Sequence, residues 1–159
     1  MADPADVATG FRGAMRRLAS GVAIVVGRGD GAPVGMAATS ITSLTMDPPA
    51  VLVCVNQTAG LHACLSPGCA ISVNLLSRHQ RDVSSAFGGA VAREDRFGVG
   101  QWTDDAHGLP MLEDAQANLA CTIDNIMPYG SHSIVVAQRL IKFLRQPVIQ
   151  ALVNGIGHK

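Results

Sequence analysis

Charge is scarce in this chain and evenly divided. Asp, Glu, Lys and Arg make up 15% of it, twelve basic residues against twelve acidic. Nucleic-acid binding needs a basic surplus to neutralise phosphates, so that partner is not expected. Aromatic residues are rarer still, at 4%. No apolar run approaches the roughly twenty residues of a membrane-spanning helix, so no membrane partner is expected either. Met1-Ala2-Asp3-Pro4-Ala5-Asp6 is acidic with no apolar segment behind it, unlike a secretory leader. The cysteines Cys54, Cys64, Cys69 and Cys121 are therefore expected to be reduced thiols of a cytoplasmic protein. His62, Cys64 and Cys69 follow no common zinc spacing, so no metal is expected and small buried thiols are the plainer reading. What the chain has in quantity is apolar: 48% of 159 residues. That suffices for one domain over residues 1–159 with a real core, and leaves apolar surface to share with a second subunit.

Phe11, Ala14, Met15 and Leu18 form the stripe of an amphipathic helix, and Gly21 supplies a stop. Val22 to Val26 reads as a strand, and Gly27 to Pro33 as a hairpin connection. A short helix is predicted over Ala59 to Leu65 and a strand over Cys69 to Leu75. Ser77-Arg78-His79-Gln80 reads as a capping box for a helix with Val83, Ala86 and Phe87 on its apolar face. Residues 93 to 114 read as irregular and exposed. Ala117 to Ile126 and Ser133 to Phe143 are predicted strands around a Pro128-Tyr129-Gly130 turn, and Val148 to Val153 is a last candidate. There is no internal repeat, low-complexity tract or interdomain linker. About six strands with hairpin and corner turns point to an antiparallel barrel with helices packed outside.

The most informative stretch runs from Gly35 to Asn56. It combines a strand dense in small hydroxyl residues (Thr39, Ser40, Thr42, Ser43, Thr45), a Pro48-Pro49 corner and an apolar strand, Ala50 to Val55. A strand of small polar residues leaves room for a flat ligand and offers hydroxyl and backbone groups to its polar edge. The prolines cannot donate ladder hydrogen bonds, so the first strand ends there. Asn56 or Thr58 is a good N-cap for the following helix, and N–H groups at a helix start attract phosphate. A cap alone also explains both residues. Gly27-x-Gly29-x-x-Ala32 has the form of a dinucleotide fingerprint, but that fingerprint must open a helix. Here Pro33, Val34 and a strand follow, so it reads as a hairpin and no Rossmann domain is expected. Ser131 and His132 are adjacent; on a strand they would point to opposite faces, which argues against a hydrolase triad.

The Gly35–Asn56 stretch resembles the pattern G-M-T-A-x-S-F-T-S-V-S-x-D-P-P-L-V-L-V-C-V-N of the flavin reductase-like family. The likeness extends from Phe11 to about Ala137. It is nearest to the reductase components of two-component flavin-dependent monooxygenases. It implies a mainly β fold, the antiparallel FMN-binding split β-barrel with short helices packed outside. It further implies an NAD(P)H:flavin oxidoreductase that reduces FMN or FAD with NADH or NADPH and supplies a separate oxygenase. A flavoprotein with permanently bound FMN acting on another small substrate, or a non-catalytic flavin-binding module, are the alternatives.

By that resemblance Ala38, Thr39, Ser40, Ser43 and Leu44 would lie against the isoalloxazine ring. Cys54, Val55, Asn56 and Thr58 would hold the ribityl chain and phosphate. The family often carries a basic residue in this segment, which is absent here, so phosphate neutralisation falls to backbone donors and Arg96. The plain alternative for Arg96 is a surface ion pair with Glu94 or Asp95. Tyr129-Gly130-Ser131-His132 matches a G-D-H-T element, which makes His132 the candidate to seat the nicotinamide, with Ser131 in place of the usual Asp. Residues 147–157 lack the two tyrosines of the family's P-L-x-Y-x-x-G-x-Y ending. The resemblance also implies a homodimer with the flavin site near the subunit interface, where residues 93 to 114 could reach the partner's site.

Overall fold

The continuous apolar run after Gly21 becomes a strand buried on both faces. In the computed structural model, which describes residues 3–106 and 108–143, β1 (Ala23–Gly29) is buried from Ala23 through Gly27. Val25 joins an inner core with Val53, Val55, Ile71, Val73, Ile123 and Val135. Ile24 and Val26 join an outer layer with Val83, Phe87 and Leu112. Each such side chain contributes roughly 1.5–3 kcal/mol by leaving water, which is why alternation is absent from this strand.

β1 pairs with β2 (Ala32–Ala38) through the two-residue turn Asp30-Gly31, whose φ angles of 51° and 81° suit a hairpin connection. The glycine-rich segment is thus the hairpin expected, and a strand follows it where a dinucleotide site would need a helix. β3 (Ile41–Met46), β4 (Pro49–Asn56), β5 (Ala70–Leu75), β8 (Ala117–Tyr129) and β9 (His132–Phe143) complete an antiparallel sheet ordered β2-β1-β5-β8-β9-β4-β3. β6 (Trp102–Asp104) and β7 (Pro110–Leu112) form a separate pair.

The topology forces the sheet to curl. β2 and β3 stand at opposite edges, yet only Thr39 and Ser40 separate them in the chain. A flat sheet of seven strands would hold its edges roughly 29 Å apart at about 4.8 Å per strand. Three Cα steps reach at most about 11 Å. The edges therefore meet around the inner core, and no ladder joins them among the described residues. This is the split antiparallel barrel that the sequence indicated. Leu61, fully buried, packs into the inner core from the turn that ends in the single helical turn His62–Cys64.

Several boundaries differ from expectation. The hydroxyl-rich strand is two strands, because the chain must cross the seam at Thr39–Ser40. The proline corner is a hairpin in which Met46 pairs directly with Pro49 across Asp47-Pro48. α1 (Pro4–Met15) starts earlier than the apolar stripe, since Asp3 caps it by accepting from the Ala5 N–H at 2.9 Å and Pro4 suits the first turn. The capping box is half formed: Gln80 accepts from the Ser77 N–H at 2.9 Å ahead of α2 (Arg81–Ser85). Residues 93 to 114 contain a helical stretch, Arg93–Gly98, and the β6–β7 pair, elements too short to show periodicity. The candidate strand at 148–153 and the divergent segment 147–157 lie outside the described residues.

Candidate functional site

β4 ends at Asn56, and the chain turns sharply there. Asn56 Oδ1 accepts from the Thr58 N–H and from the Thr58 hydroxyl, both at 2.9 Å. The Ala59 N–H donates to the Asn56 carbonyl and the Gln57 N–H to the Ser131 carbonyl, each at 3.0 Å. The N–H groups of residues 57, 58 and 59 are thus already satisfied within the protein. Those three donors hold the turn's own shape, so a phosphate would have to draw on other groups.

Positive charge arrives from elsewhere. A cavity of about 340 Å³ lies between the outer side of β2, the Thr58–Leu61 turn and Phe87–Gly89. Arg93 and Arg96 both line it. They stand three residues apart on the Arg93–Gly98 helical stretch and so emerge on one side of it. Arg96 is anchored by Nε to the Val91 carbonyl at 3.2 Å and by Nη1 to the Gly35 carbonyl at 3.4 Å. The Arg93 guanidinium occupies the space above Gly60, where any Cβ would collide with it. Neither arginine is paired with a carboxylate among the described residues, so the proposed pairing of Arg96 with Glu94 or Asp95 is not formed. Two guanidinium groups facing one cavity, with no carboxylate paired to them among the described residues, have the chemistry to hold an anion.

His132 opens β9 directly opposite Asn56 in β4 and Tyr129 in β8. Cross-strand partners share a face, so these three side chains form one row. The expectation that Ser131 and His132 diverge is overturned: Ser131 lies in the turn rather than on the strand, and its Oγ is 2.9 Å from His132 Nδ1. That contact leaves Nε2 as the ring nitrogen open to a ligand among the described residues. No carboxylate is hydrogen-bonded to the imidazole among them, so the pair forms no triad.

A second, larger groove of about 760 Å³ runs beside the seam, lined by Thr39, Ser40, Thr42, Leu52 and Cys54 and flanked by α1. Two chain segments run from its lining toward the arginine cavity. Ala37, two residues before Thr39, lines the arginine cavity, and Cys54 is followed two residues on by Asn56, where β4 ends and the turn to Thr58 begins. The candidate site thus has three parts: a groove carrying hydroxyls, the Asn56–His132 pair, and a cavity carrying two guanidinium groups.

The family model described as "Flavin reductase like domain" matches residues 15–140, which contain Thr39, Cys54, Asn56, Thr58, Arg93, Arg96 and His132. The chain belongs to the flavin reductase-like family. It is 35% identical to the FMN reductase (NADH) RutF of Stutzerimonas stutzeri, over 85% of this chain and 78% of that protein. It is 37% identical to the reductase component of an FADH(2)-dependent resorcinol hydroxylase from a Rhizobium species, over 85% and 76% of the two chains. The NADH:FAD oxidoreductase SgcE6 of Streptomyces globisporus C-1027, solved with NAD and FAD fragments, superposes with a TM-score of 0.78 at 28% identity, covering 89% of this chain and 84% of that one.

Within this family member the sequence-derived candidates fall into three groups. Thr39, Ser40 and Cys54 share the groove, Asn56 stands with His132, and Thr58 stands with Arg96. Ala38 and Val55 point into the inner core, at 6% and 1% exposure, so they can offer a ligand only their backbones. Ser43 lines a different cavity, and Leu44 is the extra residue of a bulge between Ser43 and Thr45, half exposed. Arg93 was absent from the candidates; its spacing from Arg96 was the available signal.

Proposed function

We propose that this protein, as one flavin reductase-like domain, transfers hydride from NADH or NADPH to FMN or FAD and supplies the reduced flavin to a separate oxygenase component. It is an NAD(P)H-dependent flavin reductase. When bound, the two nucleotides supply the redox chemistry between them, and the protein's task is to seat and align them. The observation that carries this reading is the pair Arg93 and Arg96 on one cavity, without a carboxylate partner among the described residues, which suits the flavin phosphate, while the larger seam groove offers the Thr39, Ser40 and Thr42 hydroxyls.

Thr39, Ser40 and Cys54 flank the place proposed for the flavin ring, with backbone contributions from Ala38. Asn56 and Thr58 turn the chain beneath the ribityl phosphate, and Arg93 and Arg96 neutralise it. His132 presents Nε2 toward the nicotinamide. The named activities of the relatives, reduction of FMN with NADH and service to a resorcinol hydroxylase, support both the donor and the oxygenase partner.

The protein is proposed to work as a cytoplasmic homodimer. Among the described residues no helix is long and apolar enough to cross a membrane. The outer face of β8, β9 and β4 carries Met127 and Tyr129, at 49% and 79% exposure, in ladder rows with Ile134 and Cys54 and with His132 and Asn56. On α1 and just beyond it, Val7, Phe11, Met15 and Leu18 are all at least 46% exposed. So much uncovered apolar surface suits a second copy. The direct test of function is purified protein mixed anaerobically with NADH and free FMN or FAD. Catalytic bleaching of flavin absorbance is expected; its absence under every pairing of flavin and nicotinamide would sink the reading.

A further inference from the structure

Gln57 is exposed and lines neither the arginine cavity nor the seam groove, yet it is tied twice to a hairpin far along the chain. Its N–H donates to the Ser131 carbonyl at 3.0 Å, and its Nε2 donates to the His132 carbonyl at 3.1 Å. The second bond spans 75 residues and holds a long side chain that would otherwise be free in solvent. Five residues on, His62 Nε2 lies 2.9 Å from Oγ of Ser133, a hydroxyl only 2% exposed. The turn that carries Asn56 and Thr58 is therefore pinned to the start of β9 on both sides of His132.

This bears on the imidazole in particular. The Gln57 amide fixes the peptide plane from which the His132 side chain projects, while the Ser131 hydroxyl holds the ring at Nδ1. Rotation at either end would move Nε2. We propose that Gln57 is a positioning residue that registers His132 against the Asn56–Thr58 turn, so that the nicotinamide and phosphate sides of the site behave as one body. The inference rests on the reading that His132 seats the nicotinamide. Gln57 acts through His132 and touches neither nucleotide itself.

The test compares Gln57→Ala, Gln57→Glu (the same length without the Nε2 donor), His132→Ala and the Gln57→Ala/His132→Ala double variant. KM for NADH, kcat, the FMN dissociation constant by titration and the melting temperature are measured on each. Both Gln57 variants should raise KM for NADH on the order of three- to tenfold, the loss of one hydrogen bond. FMN affinity and melting temperature should hold. In the His132→Ala background, Gln57→Ala should add nothing further to KM, since the residue it positions is gone. If His132→Ala raises KM and the Gln57 variants do not, the positioning role is overturned while the reading of His132 stands. If FMN affinity and melting temperature fall in step with KM, Gln57 is structural and the inference is overturned. If His132→Ala leaves KM unchanged, the underlying reading falls and the inference with it.

Discussion

The Arg93 guanidinium lies in the space that a Cβ on residue 60 would fill, and residue 60 is Gly60. Gly60 does not sit in the left-handed region, so an alanine there would not strain the backbone. Gly60→Ala should fold normally and swing Arg93 away from the cavity. Losing a charge-assisted contact to phosphate costs about 1.5–3 kcal/mol, or roughly ten- to hundredfold in affinity. Flavin titration of Gly60→Ala and Arg93→Ala should show similar losses of that size. Wild-type affinity in both variants would remove Arg93 from the phosphate site.

Asn56 and Thr58 hold each other, and the proposed complex asks them to hold the flavin as well. Replacing both with alanine should weaken flavin binding by about 1–3 kcal/mol for each lost contact, with a smaller effect on unfolding. Fluorescence titration alongside thermal melts separates the two effects. An unchanged dissociation constant would return both residues to simple caps.

The Ser133 hydroxyl is buried, and its partner is the His62 ring. His62→Ala should cost about 1–3 kcal/mol of stability by stranding that hydroxyl. Adding Ser133→Ala should recover part of the loss, because a pair removed together leaves no stranded donor. Urea unfolding of the single and double variants decides the matter. A His62→Ala protein as stable as the parent would show that the contact contributes nothing.

Ile134 projects on the same outward row as Cys54 and Met127. Placing a charge there, as Ile134→Lys, should split the proposed dimer while leaving the inner core untouched. Sedimentation should then report a monomer, and reductase activity should fall with oligomer size on dilution of the parent protein. A monomer with full activity would exclude a shared site.

The barrel was legible because its strands are apolar in runs and its turns carry Gly and Pro. The seam was not. Thr39 and Ser40 are as good in a strand as their neighbours, and nothing local records that the chain must cross from one sheet edge to the other there. Ala38 and Val55 were grouped with ligand contacts through the family resemblance, but alternation along a strand sends their side chains into the core. Arg93 went unread because its role depends on Gly60, a residue whose lack of a side chain matters only once the two are brought together. Gln57 likewise looked like spacer until β9 returned beside it. The register between Asn56 and His132 is a long-range fact, fixed by the pairing of β4 and β9 rather than by anything within either segment.

Trp102 is the chain's one tryptophan. Its ring packs 5.4 Å from that of Phe87, which forms part of the arginine cavity's wall, and 5.1 Å from Phe97. Tryptophan emits where flavins absorb. A flavin whose phosphate end rests in that cavity would quench a single, fixed emitter one ring away. With the flavin placed there, the protein would carry its own optical gauge of occupancy, read from Trp102 with no added label.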